Sequence, residues 1–361
     1  MAHLESYDSF QTKKSKEQKR RAKEKAMGKS NINEEKAFVV KKANDYGIAI
    51  EIRYKDLDVF YNGEIVQAKL RKDINYPCNQ ILFPGDKVVL DYDGGNYIVQ
   101  NMISRTSLLS RVKKDSTKLD DSVGMTKNIA ANINLAVIVV SAKNPPLHPK
   151  FIDRYLMILQ NSDIEAVLCM NKTDLKTDKE EKILDIYRKI GIPVIETSSI
   201  KKDGIDELKK YLFGKQAIFV GNSGVGKSSL TNVLMESDNI KTSHVSEKNG
   251  RGRHTTTTSK YYVWDNNSSI IDTPGIRSLD VSHFQAIEIQ DYFKEFEDWK
   301  NRCKYSNCLH YKEPEQDCMV KQAVKLGIIN KVRYESYIRI LGNFDKSKHI
   351  DEEIDLETDE R

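Results

Sequence analysis

The sequence predicts a multi-domain protein: an all-β barrel of the OB type, an α/β domain on a mostly parallel sheet, and an α-helical C-terminal domain built around a metal. Three observations carry this. Near residue 128 the hydrophobic pattern changes from short alternations to longer apolar runs separated by helical periodicity. A G-x-x-x-x-G-K-S run lies between a predicted strand and a predicted helix. Three cysteines and a histidine crowd into residues 303–318. The expected boundaries are a basic arm over 1–35, the barrel over 36–112, the α/β domain over 113–282, the metal-binding helical domain over 283–343 and an acidic tail over 344–361.

Composition narrows the class. The 361 residues, 31% charged and 39% hydrophobic, suffice for two or three domains. No apolar run approaches the ~20 residues of a membrane span, and the amino-terminal segment is polar and lysine-rich. A cytoplasmic protein with no membrane partner, and a monomer, is expected. The net charge of +5 is unevenly spread: Lys13 to Lys29 is dense in Lys and Arg, while the carboxyl end is acidic. Such an arm either gains affinity for nucleic acid by releasing counterions from phosphates or is a solvated tail.

Between residues 36 and 110, alternations at Phe38–Val40, Ile48–Ile52, Val88–Tyr92 and Tyr97–Val99 are punctuated by turns at Gly47, Asn62-Gly63, Pro84-Gly85-Asp86 and Gly94-Gly95. About five short strands in so short a span predict a small barrel, OB-like before SH3-like. Ile133–Ser141 is a continuous apolar run, the mark of a strand buried on both faces. Then come helix 151–160, strand 166–170, helix 179–190, strand 193–196, helix 205–211 and strand 217–220. From about residue 283 the chain reads as helical, ending in an amphipathic helix with Tyr334, Tyr337, Ile338 and Leu341. Cys78 and Cys169 stand alone in apolar surroundings and are expected to be inert.

The glycine loop is Gly221-Asn222-Ser223-Gly224-Val225-Gly226-Lys227-Ser228, followed by Ser229. Its glycines let backbone N–H groups wrap phosphates, and the following helix adds its dipole. Lys227 would neutralise β/γ-phosphates and Ser228 would bind Mg²⁺. Asp272 in D-T-P-G follows the apolar pair Ile270-Ile271, placing it at a strand end within reach of Mg²⁺, with the Gly275 N–H toward the γ-phosphate. Asn171-Lys172-Thr173-Asp174 ends another strand. The Asp174 carboxylate can accept from the N1–H and N2–H₂ edge of guanine, which adenine lacks, and Lys172 would lay its stem along the base. Thr197-Ser198-Ser199 would offer a backbone N–H to guanine O6. In an ordinary GTPase the phosphate loop precedes the base motif. Here the order is reversed, as a circular permutation of one sheet would produce, because a site at strand ends needs neighbours in space rather than in sequence.

Cys303, Cys308, His310 and Cys318 form C-x₄-C-x-H-x₇-C, a donor set suited to tetrahedral structural zinc with no open position for catalysis. With the permuted motifs, G-R-G-R-H-T-T-T at Gly250–Thr257 and D-T-P-G-I-R, this chain resembles the ribosome small-subunit-dependent GTPase A family over residues 36–342. The resemblance implies an OB-fold in front, a central circularly permuted P-loop GTPase domain, one structural Zn²⁺ in the C-terminal domain, GTP and GDP as substrate and product, Mg²⁺, and late maturation of the small ribosomal subunit through contact with its rRNA. The His310-to-Cys318 spacing exceeds the family's usual one, so the 313–317 loop is expected to be enlarged.

The Gln that follows D-x-x-G in Ras-like enzymes is replaced by Ile276, which cannot orient water. His254, in the stretch between phosphate loop and D-T-P-G, is the candidate catalytic residue, and the resemblance points to it as well. The other reading of His254 is an RNA contact beside Arg251 and Arg253. Thr257 is the favoured Mg²⁺ ligand among the neighbouring threonines, joining Ser228 and Asp272. Two other functions remain compatible with the sequence: an RNA-binding assembly factor that uses GTP as a conformational switch, and a GTPase acting on another RNA.

Overall fold

The fold comes from a computed structural model that describes residues 46–53, 55–70, 82–112, 126–236, 241–242, 260–263, 268–272 and 284–348. The basic arm, Phe38–Val40, Cys78 and the tail beyond residue 348 lie outside the described residues.

Strands β1 (Gly47–Ile52), β2 (Asp56–Tyr61), β3 (Glu64–Leu70), β4 (Lys87–Asp93) and β5 (Asn96–Met102) close a barrel in the order β1-β2-β3-β5-β4. β3 and β5 pair in parallel, and β4 returns to β1 through Gly47↔Val88 and Ile48↔Lys87. The β2–β3 hairpin turns on Asn62 and Gly63, both at positive φ (52° and 81°), the requirement of a tight two-residue turn. Ala49, Leu57, Val59, Ala68, Val88 and Val99 fill the interior. β6 (Leu108–Val112) and β7 (Thr126–Ala131) form an antiparallel pair leading onward.

Buried polar groups tie the barrel to the segments that lead into the α/β sheet. The Arg105 guanidinium donates two 2.7 Å bonds to the buried Asp86 carboxylate. Asn132 Nδ2 donates to the Gly85 carbonyl at 2.9 Å, and its Oδ1 accepts from the Thr106 N–H at 2.9 Å.

The α/β domain runs β8 (Leu135–Ser141), α1 (Pro149–Asn161), β9 (Glu165–Asn171), α2 (Asp178–Lys189), β10 (Val194–Glu196), α3 (Ile205–Leu212), β11 (Gln216–Val220), α4 (Lys227–Glu236), β12 (Lys241–Thr242), β13 (Lys260–Val263) and β14 (Ser269–Asp272). The sheet order is β10-β9-β8-β11-β14-β13-β12. It is parallel from β10 to β14 and antiparallel at β14–β13–β12. All seven residues of β8 are buried, which accounts for its unbroken apolar run. The late strand β11 sits between early β8 and later β14, so phosphate-loop and base-motif strands are separated by one strand only.

The C-terminal domain holds 3₁₀ turns at Ala286–Tyr292, Lys294–Phe296 and Glu315–Asp317, short helices α5 (Glu297–Lys300) and α6 (Met319–Lys325), and the long α7 (Lys331–Lys348). Phe293, Phe296 and Tyr337 form its aromatic core, with ring centroids 5.0–5.4 Å apart. On α7, Arg333 is buried between Asp153 of α1 and Glu295, whose carboxylate it meets at 2.6 and 3.1 Å. Its guanidinium also lies 4.5 Å from the Phe293 ring centroid. Arg333→Met should cost about 3–5 kcal/mol, because it leaves Asp153 buried beside apolar surface. A urea midpoint equal to that of the parent chain would show that the pair does not hold the two domains together.

Candidate nucleotide site and cysteine–histidine cluster

The carboxyl ends of β8, β9, β11 and β14 meet at one edge of the sheet, where α/β folds bind ligands. β11 delivers the glycine loop. Gly221, Gly224 and Gly226 have φ of +154°, +83° and +98°. A Cβ on Gly221 would lie 2.4 Å from the Val139 carbonyl oxygen, and one on Gly226 would lie 2.3 Å from Asn171 Nδ2. These two positions demand glycine for space as well as conformation. Val225 is buried between them, while Ser223 and Gly224 face solvent and Asn222 is half-buried. The loop runs into α4, whose first residues are Lys227, Ser228 and Ser229. Lys227 Nζ donates to the Gly221 and Asn222 carbonyls at 2.9 and 3.0 Å, curling back over the loop. Ser228 Oγ donates to Asp272 Oδ2 at 3.0 Å, so the first turn of α4 and the end of β14 bring two side-chain oxygens together.

β9 delivers the base motif. Asn171 is fully buried: its Nδ2 donates to the Val225 carbonyl at 3.0 Å and its Oδ1 accepts from the Ser199 N–H at 3.2 Å. Lys172 adopts a left-handed conformation (φ 60°) and donates to the Asn144 and Gly224 carbonyls at 2.5 and 2.7 Å. It thus clamps the loop after β8 against the glycine loop. Thr173 Oγ1 donates to the Thr197 carbonyl at 3.1 Å. Asp174 is exposed, and the buried Ser198 hydroxyl donates to its Oδ1 at 2.7 Å.

The N–H groups of Thr197, Ser198 and Ser199 donate to Met170 O, Asp203 O and Asn171 Oδ1. The segment thereby orients Asn171, and its Ser198 hydroxyl orients Asp174. The two carbonyl anchors of Lys172 carried no sequence signal, since main-chain partners 28 and 52 residues away leave no pattern. His254, Thr257, Gly275 and Ile276 lie outside the described residues.

In the C-terminal domain the Cys303, Cys308, His310 and Cys318 ligand atoms lie within 4.8 Å of one another. The three sulfurs stand 3.5, 3.3 and 3.4 Å from His310 Nδ1. Tetrahedral zinc with its usual bond lengths needs S···N edges of about 3.5 Å, so the donor set fits. His310 Nε2 meets Gln290 Oε1 at 2.7 Å, an acceptor that assigns the proton to Nε2 and leaves Nδ1 free to ligate. Burial pushes the imidazole down to about 4, the neutral form a ligand needs. Burial, then the neighbouring sulfurs, pushes the Cys308 and Cys318 thiols up, a cost that a divalent cation among them would reverse. Gln290 had no sequence signal. The loop after His310 is held by Glu313, whose carboxylate accepts from the Leu309 and Tyr311 N–H groups at 2.8 Å. Cys169, by contrast, is an isolated buried thiol pushed up to about 12 by burial.

A phosphate loop, a guanine-type motif and an acidic strand end, joined on one sheet in permuted chain order, define a circularly permuted P-loop GTPase. Residues 102–282 match the family model described as RsgA GTPase. The Small ribosomal subunit biogenesis GTPase RsgA of Caldanaerobacter subterraneus subsp. tengcongensis is 39% identical over 212 residues, 58% of this chain and 71% of that protein. The solved structure of YjeQ from Thermotoga maritima is 30% identical, covers 83% of this chain and 98% of its own, and superposes with a TM-score of 0.64. That of YloQ, described as a circularly permuted GTPase, is 25% identical, covers 86% and 99%, and has a TM-score of 0.62. The chain belongs to the RsgA GTPase family. Among the described residues no helix is long and apolar enough to cross a membrane.

Gly226→Ala is expected to lower GTP affinity on the order of a hundredfold, since a strained left-handed residue displaces the loop from its phosphate-facing arc. Titration calorimetry showing parent-like affinity would mean that the loop accommodates the methyl group.

Proposed function

We propose that this protein binds the small ribosomal subunit, in contact with its rRNA, and couples GTP hydrolysis to the subunit's late maturation. It acts as a cytoplasmic monomer. The observation that carries the reading is the meeting of Ser228 and Asp272, from motifs 44 residues apart, at the mouth of the glycine loop. The relatives named small ribosomal subunit biogenesis GTPases support this choice of partner. In this reading Asp174, held by Ser198, reads the guanine edge, and Asn171, Lys172 and Thr173 keep it in register with the loop. The N–H groups from Asn222 to Ser229 wrap the phosphates, with Gly275 at the γ-phosphate, and Lys227 releases its loop carbonyls to reach the β/γ-oxygens. Ser228, Thr257 and Asp272 would hold Mg²⁺, which would supply positive charge to the phosphate oxygens. His254 accepts from or donates to the attacking water. Cys303, Cys308, His310 and Cys318 hold one structural zinc that ties the C-terminal loops together.

Turnover measured with and without purified small subunits tests the reading. Basal hydrolysis should be as slow as the ~10⁻⁴ s⁻¹ of an unassisted small GTPase and should rise steeply with the small subunit alone. His254→Ala should remove the stimulation while sparing GTP affinity and subunit binding; stimulated turnover that survives the substitution would rule His254 out. An unstimulated parent enzyme that still binds the subunit would favour the switch-type assembly factor.

Zinc is checked separately. Elemental analysis should find about one zinc per chain, and Cys308→Ser should release it and loosen the C-terminal domain in hydrogen exchange. A folded chain without metal would contradict the structural role.

A further inference from the structure

The C-terminal domain carries a groove that neither the nucleotide site nor the cysteine–histidine cluster uses. Tyr311, Tyr334, Glu335, Ile338 and Arg339 line an open cavity of about 290 Å³. Its walls are held in place. The Tyr334 hydroxyl donates to the His310 carbonyl at 2.7 Å, and Lys321 Nζ donates to the Tyr311 and Glu313 carbonyls at 2.7 and 2.6 Å. The floor is aromatic and aliphatic, and the rim is charged. Lys312 lies 5.5 Å from the Tyr311 ring centroid, Arg339 stands exposed, and Lys331 meets Glu335 at 3.9 Å. Among the described residues of this rim, Lys312, Lys321, Lys331 and Arg339 thus stand against Glu313 and Glu335, an excess of positive charge.

Past Lys348 the sequence supplies a segment of matching character. Residues 349–361 read H-I-D-E-E-I-D-L-E-T-D-E-R. In Glu353-Ile354-Asp355-Leu356-Glu357 acidic and apolar residues alternate. An extended chain would therefore put Ile354 and Leu356 on one side and the carboxylates on the other. A helix advances ~1.5 Å per residue, so Arg339 lies only ~14 Å back along α7 from Lys348. An extended chain covers ~3.3 Å per residue, so a turn at 349–350 brings Ile354 and Leu356 level with Ile338 and Tyr334.

We propose that the acidic segment 350–357 of this same chain turns back along α7 and docks in the groove. Ile354 and Leu356 lie against Tyr311, Tyr334 and Ile338, and the carboxylates meet the cationic rim. Two separate features of the segment are matched there, its apolar period and its charge. The five lining residues are far fewer than the roughly 20–30 that a folded partner engages on each side, so a short segment is the occupant that fits. A short tether holds such a segment at an effective concentration of about millimolar, which favours it over a free competitor of similar chemistry. The inference uses no part of the ribosomal reading and stands or falls without it.

The test compares the full chain with a full-length double variant, Ile354→Asp with Leu356→Asp, in which every described residue is kept. A carbodiimide, which joins carboxylates directly to amines, should link Glu353, Asp355 or Glu357 to Lys312 or Lys321 in the parent. The double variant should lose the link. When chains of two isotopic masses are mixed, the link should stay within one chain. Links of mixed mass would assign the groove to a second copy and overturn the proposal. A fluorescein-labelled peptide of residues 349–361 should bind the double variant on the order of tenfold more tightly than the parent, whose own segment competes. Adding Tyr311→Ala to the double variant should weaken the peptide again, on the order of tenfold. Basal GTP turnover should be the same in all three chains. Equal peptide binding by parent and double variant, or equal binding of a scrambled peptide, overturns the proposal. So does a peptide that binds neither chain while Tyr311→Ala weakens small-subunit binding, since the groove would then belong to the subunit.

Discussion

The site depends on one buried amide. Asn171 ends β9, yet its two functional atoms belong to other segments: Nδ2 holds the Val225 carbonyl of the glycine loop, and Oδ1 holds the Ser199 N–H beyond β10. A fully buried amide left unpaired costs about 1–3 kcal/mol for each stranded group, so the three segments are locked to one another rather than merely adjacent. The constraint reaches further, because Gly226 must be glycine for Asn171 to approach. Lys172 extends it to the loop after β8 through the Asn144 and Gly224 carbonyls. The β9 motif and the glycine loop are thereby parts of one connected edge.

Buried ions do the equivalent work between domains. Asp86 with Arg105 joins the barrel to the chain leading into the sheet, and Arg333 with Asp153 and Glu295 joins α7 to α1. Such pairs add little net stability over apolar packing of the same volume, but they penalise any orientation that leaves a charge unmatched. α1 is common to both regions: its first turn follows the loop clamped by Lys172, and its outer face holds Arg333.

Much of this was legible in the residues. The β8 run announced a strand buried on both faces, the glycines announced a phosphate loop, and four ligands in sixteen residues announced a metal. These are local signals, set by period, by steric demand or by spacing. The functions of Gln290, Ser198 and the Lys172 amine were not legible, because each acts on an atom distant in sequence through a bond that almost any polar residue could make.

By itself the sequence determined the run of strands from β8 to β11, the tight glycine loop that follows it and the four donors that gather at Cys303–Cys318, since these come from hydrophobic period, from the freedom of glycine and from ligand chemistry. Only the tertiary structure decided that β11 lies between β8 and β14 and that the Thr197, Ser198 and Ser199 amides are taken by Met170, Asp203 and Asn171. The reason is physical. Strand order and helix packing are fixed by which buried polar groups across the whole fold can be satisfied together, and no local stretch of chain contains that condition.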